Sequence, residues 1–195
     1  GESSYRRDMH SGDAEVSRAR VSIALFSLLT AALQVGWAGY RFGVGNQSIQ
    51  IPFLLHLHDP TLFASDDLMN TLPAYPGMVF HLLARVIPSA WPIEPVYAVL
   101  HFLTAWLTLL GGARLAMALT GRPGAGLWMV LLMAAGHHRG VAESGLYALG
   151  FTHTGLAVAL GLFALALALE ERPFLAAATW TALFYVHALY GAYVG

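Results

Sequence analysis

Residues 21–40 read V-S-I-A-L-F-S-L-L-T-A-A-L-Q-V-G-W-A-G-Y. Twenty largely apolar residues are what a helix needs to cross a hydrocarbon core of about 30 Å, and only Gln34 interrupts this run strongly. A cleaved signal peptide has a shorter apolar core and a small-residue cleavage site; neither fits, so the segment is expected to be an anchor. The rest of the chain agrees. Of 195 residues, 57% are hydrophobic and 11% charged, against about 25% charged in an average soluble domain. An ordinary soluble globule and a disordered chain are both excluded by that balance.

Four further segments follow the same pattern. Val96–Leu119 is broken by His101 and Arg114, Gly126–Gly136 is apolar but short, Thr154–Leu169 is almost pure Ala, Leu, Gly and Val, and Phe174–Tyr193 carries His187 late in its course. The expected fold is therefore all-α, a polytopic transmembrane bundle of about five spans. Residues 1–20 are polar and read as a flexible cytoplasmic arm, and residues 21–195 as one transmembrane domain. The chain starts at Gly1 without a methionine and ends at Gly195 just after an apolar run, so a longer parent chain is expected.

Arginine sets the direction. All ten basic residues are arginine. With the N-terminus inside, Arg6, Arg7, Arg18, Arg20, Arg114, Arg122 and Arg172 lie at inner ends, and Arg41, Arg85 and Arg139 lie outside. This obeys the positive-inside rule. The inner connections, Thr120–Gly124 and Glu170–Pro173, are tight; the outer ones, Arg41–Pro95 and His137–His153, are long. Long structured loops carry function more often than short connections do, so the working surface is expected outside. The alanine-rich, lysine-free composition suggests a GC-rich bacterial genome and hence a bacterial inner membrane. Net charge is −1, with no basic stripe for nucleic acid. Cysteine is absent, which removes disulfides, thiolate metal sites and a cysteine nucleophile.

The first outer loop, residues 41–95, contains two apolar runs too short to span, Ile49–Leu57 and Pro76–Ile87. They read as interfacial helices. Between them lies H-L-H-D-P-T-L-F-A-S-D-D at 56–67. Asp59-Pro60 and Ser65-Asp66-Asp67 are helix starts, aspartate being a good cap and acids suiting a helix N-terminus. Three acids beside a membrane can also hold a divalent cation or act as a base where water is excluded. His81 and Arg85, one turn apart, could hold a phosphate or snorkel into headgroups.

Eight of the nine histidines, all but His10, fall on the outer side. His101 and His187 lie at membrane depth, where an ionisable group usually faces a partner or a wet cavity. His56-x-His58 is a possible metal pair, yet no ligand set with a recognised metal spacing occurs. His137-His138 reads as an interfacial cap, and Glu94 and Glu143 add acids at the same level. Gly43-Val44-Gly45-Asn46-Gln47 reads as a turn leaving the first span. Small residues from Ala157 to Ala168 read as a close-packing surface.

The order of a cytoplasmic N-terminus, one span, a long acidic outer loop between interfacial helices, and spans joined by short inner turns resembles the N-terminal part of the GT-C superfamily of polytopic membrane glycosyltransferases. Residues 41–55 and 187–191 are also similar to uncharacterised bacterial membrane proteins of like layout. The GT-C resemblance implies transfer from a polyprenyl-phosphate-linked sugar at the outer face. It places Asp66 and Asp67, then Asp59, as base or metal contact, and makes His81 and Arg85 candidates for the phosphate, with His101 and His187 lining the substrate site. Two alternatives stand beside it: a transporter or channel whose path His101 and His187 line, and a metal- or haem-binding module built on the outer histidines.

Overall fold

The computed structural model describes residues 2–71, 74, 79–136, 149–188, 191 and 192. Those residues form eight helices and no strand. In chain order they are α1 (Glu2–Ala38), α2 (Gln47–His58), α3 (Asp67–Thr71), α4 (Val79–Val86), α5 (Ile93–Thr120), α6 (Pro123–Ala135), α7 (His153–Leu169) and α8 (Pro173–Val186). Within α1, Ser17–Ala38 is long and apolar enough to cross a membrane, as is α5; α6, α7 and α8 are apolar but shorter. The polar stretch read as an arm continues the first span as one helix from Glu2.

The long helix α5 is the hub. It packs against α1, α6 and α7, and α7 in turn carries α8. The reason is side-chain size. On α1 the buried positions Ile23, Ser27 and Ala31 recur every fourth residue, so one narrow face meets α5. The indole of Trp106 on α5 donates to the Ala24 carbonyl at 3.3 Å and ties the pair. The opposite stripe of α1, Val21, Leu25, Leu29, Leu33 and Trp37, is exposed, Trp37 at 92%.

Between α5 and α7 the approach is closer. A methyl group on Gly111 would lie 3.1 Å from Leu162 Cβ and 3.2 Å from the Phe163 ring. Ala157, Ala159, Gly161, Ala164 and Ala166 are all buried on α7. The small-residue reading of this helix is thus realised as a packing face. Small residues at these positions let the two backbones approach closely.

Both tight connections form as expected. Gly121 closes α5 in the left-handed region, φ 67°, and Pro123 opens α6. After α7, Glu171 takes the left-handed turn at φ 58°, and Pro173 opens α8. The first loop differs in two respects: Asp67–Thr71 forms a short α3 between the two longer helices, and Asp59-Pro60 starts no helix, since Asp59 ends α2 and a turn follows at 60–65. The last apolar helix is shorter than its hydropathy suggests. Its helix stops at Val186, and His187 is extended at φ −155°.

Candidate functional site

The two ends of the bundle differ in chemistry. At one end, Arg114 of α5 grips Glu170 at the C-terminus of α7. Its Nε donates to Oε1 at 2.8 Å and its Nη2 to Oε2 at 2.6 Å. Arg172 stands 3.9 Å from the same carboxylate, and the Arg114 guanidinium also lies over Phe163. The Arg114 hydrogen bonds first, then the positive charges of Arg114, Arg172 and Arg20, hold the Glu170 carboxyl below its ordinary range against the opposing effect of burial. Arg18, Arg20, Arg122 and Arg172 are exposed at this end. It is a structural clamp in a basic rim.

The other end gathers the first loop and the described histidines from His56 to His187. Gln47, at the start of α2, is 1% exposed; its amide donates to the Phe151 carbonyl at 3.0 Å and its oxygen accepts from the Gly43 N–H at 2.9 Å. This fastens the expected Gly43–Gly45 turn, with both glycines at positive φ, to the strip that leads into α7. Gly150 has to be glycine there: a Cβ would sit 2.7 Å from Gln47 Nε2 and 2.9 Å from the Arg41 carbonyl.

One turn further along α2, Gln50 is buried, and its Nε2 lies 3.0 Å from His153 Nδ1. His153 stacks on His187, ring centroids 4.9 Å apart and 14° from parallel. Thus α2, α7 and α8 bring Gln50, His153 and His187 together. The termination of α8 at Val186 is what lets His187 reach this stack. His101 does not join it; its ring lies 5.6 Å from Tyr40. Tyr97, one turn before His101 on α5, is fully buried between Phe151 and Phe42, which it meets edge to face.

The loop acids take the capping roles. Asp66 Oδ1 accepts from the N–H groups of Leu68 and Met69, at 2.9 and 3.2 Å, and so caps α3. Asp67 is the first residue of that helix. Asp59 Oδ1 accepts from the Thr61 hydroxyl at 2.7 Å and the Thr61 N–H at 3.0 Å. All three are exposed. The Thr61 hydroxyl, then its N–H, holds the Asp59 carboxyl below its ordinary range, which makes it a weaker base. The structure thus gives these acids turn and cap roles and does not place them beside the histidines of α7 and α8.

The remaining candidates are divided. The Leu62 carbonyl lies 2.7 Å from His56 Nδ1 and the Ala84 carbonyl 2.8 Å from His58 Nε2; a carbonyl only accepts, so both ring nitrogens carry hydrogen. His56 pins the loop behind α2, and His58 fastens α2 to α4. Among the described residues no group of three or more potential ligands could hold a metal ion. His81 faces inward and meets Phe53 edge to face at 5.7 Å, whereas Arg85, one turn on, is exposed. His137, His138, Arg139 and Glu143 lie outside the described residues.

Sequence reasoning missed Gln50 and His153. The glutamine sits in an apolar run, and the histidine precedes a span by one residue; only the return of α7 beside α2 joins them. No family model, no curated protein and no solved structure matches this chain.

Proposed function

We propose that this chain is a multi-pass bacterial inner-membrane protein of five spans, N-terminus inside, that works at its histidine-bearing outer end as a glycosyltransferase-like enzyme on a polyprenyl-phosphate-linked sugar. A bilayer accounts for the exposed apolar stripe of α1, whose most apolar window is only 17% buried; a water-soluble fold would hide it. The rim of arginines at the far end fits the cytoplasmic side.

One observation carries the functional reading. Gln50, His153 and His187 meet at one end of an otherwise apolar bundle, against the helices of the longest loop. Gln50 is buried and both imidazoles are half-buried; polar groups held at membrane depth are costly and usually mark a working site. In this reading an imidazole of the His153–His187 pair takes the acceptor proton, the part first assigned to Asp66, Asp67 or Asp59. The exposed Arg85 meets the donor phosphate at the membrane surface.

The test uses the full-length protein in lipid nanodiscs with a polyprenyl-phosphate sugar donor. His153→Ala and His187→Ala are expected to lower transfer by about 10²-fold or more, while Asp66→Asn and Asp67→Asn leave it within about twofold of the parent, because asparagine also caps helices. Transfer that survives both histidine changes overturns the reading. Solute flux in proteoliposomes without transfer puts the transport alternative in its place.

A further inference from the structure

The arginine-rimmed end of the bundle carries more positive charge than its clamp uses. The ion pairs described there both end on Glu170, from Arg114 and from Arg172. Among the described residues, the exposed guanidinium groups of Arg20 and Arg122 make no ion pair. Glu171 adds an acid to this end and is exposed.

Packing brings these two arginines to one level. A Cβ on Gly126 would lie 3.2 Å from Ile23 Cδ1, so the first turn of α6 rests on α1 at Ile23. Both helices lead away from this end. Arg20 stands one turn before Ile23, and Arg122 one turn before Gly126. On helical geometry both therefore lie at the end of the α1–α6 seam. Pro123 fixes the start of α6, with Arg122 extended before it at φ −116°. The charge of Arg20 is also felt at the Glu170 carboxylate, so the basic rim runs on from α1 to the α7–α8 turn.

Apolar surface adjoins the charge. On α1, Val21, Leu25 and Leu29 follow the exposed Arg18 at helical spacing, and all three are exposed. Leu119 precedes Arg122, and Phe174 and Leu175 follow Arg172; these too are exposed. A soluble polyanion would leave that apolar surface bare. A phospholipid matches both parts, with phosphate for the arginine forks and acyl chains for the stripe. Arginines near a membrane surface favour anionic lipids, since a zwitterionic head brings its own ammonium to its phosphate.

We infer that Arg20 and Arg122, with Arg18 beside them, hold the headgroup of an anionic phospholipid of the phosphatidylglycerol type, whose acyl chains lie along Val21, Leu25 and Leu29. This rests on the bilayer placement proposed above and is independent of sugar transfer.

The experiment takes the full chain in detergent and adds dioleoyl phosphatidylglycerol, with dioleoyl phosphatidylcholine and soluble glycerol phosphate as contrasts. Native mass spectrometry measures retained lipid, and thermal unfolding follows its effect. Phosphatidylglycerol is expected to be retained about tenfold or more over phosphatidylcholine and to raise the unfolding temperature. Glycerol phosphate is expected to do neither. Arg20→Gln and Arg122→Gln should each weaken retention about fivefold, and together about 25-fold, without changing the unfolding temperature in lipid-free detergent. Arg41→Gln, at the opposite end, should leave retention as it is. If the double variant does not fold, the two single variants carry the same comparison. The inference is overturned if both phospholipids are retained alike, if glycerol phosphate competes, or if Arg41→Gln costs as much as Arg20→Gln. Brominated lipid tails that fail to quench Trp37, kept as the sole tryptophan, remove the bilayer placement and this inference with it. Quenching without selective retention removes the headgroup site alone.

Discussion

Arg114→Met should separate the arginine-rimmed end of the bundle. Two charge-assisted hydrogen bonds, at 2.8 and 2.6 Å, join Arg114 to Glu170. Bonds to charged groups contribute about 1.5–3 kcal/mol each where buried. Here the side chains are 29% and 19% exposed, and solvent screening reduces the sum, to about 2–3 kcal/mol. In a chain of this size each kcal/mol shifts the melting temperature by about 2–4 °C, so a loss of about 4–12 °C is expected. The assay is thermal unfolding in detergent or nanodiscs for Arg114→Met, Glu170→Gln and the double variant. A coupling energy below about 0.5 kcal/mol in that cycle refutes the clamp. The pH dependence has a definite sign. The folded Glu170 carboxyl is depressed below its ordinary value of 4.5, so its stabilisation is complete above that pH and is lost as pH falls through the folded value. Below about pH 4.5 the parent should therefore lose stability more steeply than Glu170→Gln.

Gly150→Ala should cost about 1–3 kcal/mol, since its new Cβ collides with a backbone carbonyl and the buried Gln47; an unchanged unfolding temperature would show that the Gln47 anchor is slack. Glu171→Gly should stabilise by about 1 kcal/mol, because Glu171 occupies the left-handed region at φ 58°, and a lower melting temperature would count against that turn. Asp66→Ala should lose about 1 kcal/mol as a missing cap while Asp66→Asn loses little; equal losses would mean that the charge matters and not the cap. In a variant keeping Trp37 as its sole tryptophan, fluorescence should be quenched by brominated lipid tails, because Trp37 is 92% exposed; no quenching would remove that face from the bilayer.

Much of the fold follows from local pattern. Hydropathy locates the apolar helices to within a few residues except at two ends, since α1 runs back to Glu2 and α8 stops at Val186, and Gly121, Pro123 and Pro173 mark the turns between them. Those signals act over a few residues, so a linear reading captures them. The cap role of Asp66 is equally visible, because N-caps are short-range; Asp59, read as a helix start, instead closes a turn onto Thr61 at the end of α2. What hydropathy cannot show is partner choice across long separations. Arg114 and Glu170 lie 56 residues apart, and Gln50 and His153 are 103 apart. Both pairs depend on α7 packing against α5, which in turn depends on the glycines and alanines of that interface. The break before His187 is also illegible locally, since the apolar run continues past it without a proline or glycine until Gly191.

If the apolar helices cross a bilayer as proposed, their unequal lengths bear on the lipid around them. At about 1.5 Å per residue, the 28 residues of α5 reach about 42 Å, while α6 and α8, with 13 and 14 residues, reach only about 20 Å. A hydrocarbon layer of about 30 Å matches neither. A short span is accommodated by thinning of the adjacent leaflets, at a fraction of a kcal/mol per ångström. Such thinning would be local to α6, which packs on α5 and α1, and to α8, which packs on α7. There the headgroup layer would sink toward the protein's midline, and a lipid diffusing past α8 would carry its polar head downward to the level of His187 without leaving the membrane.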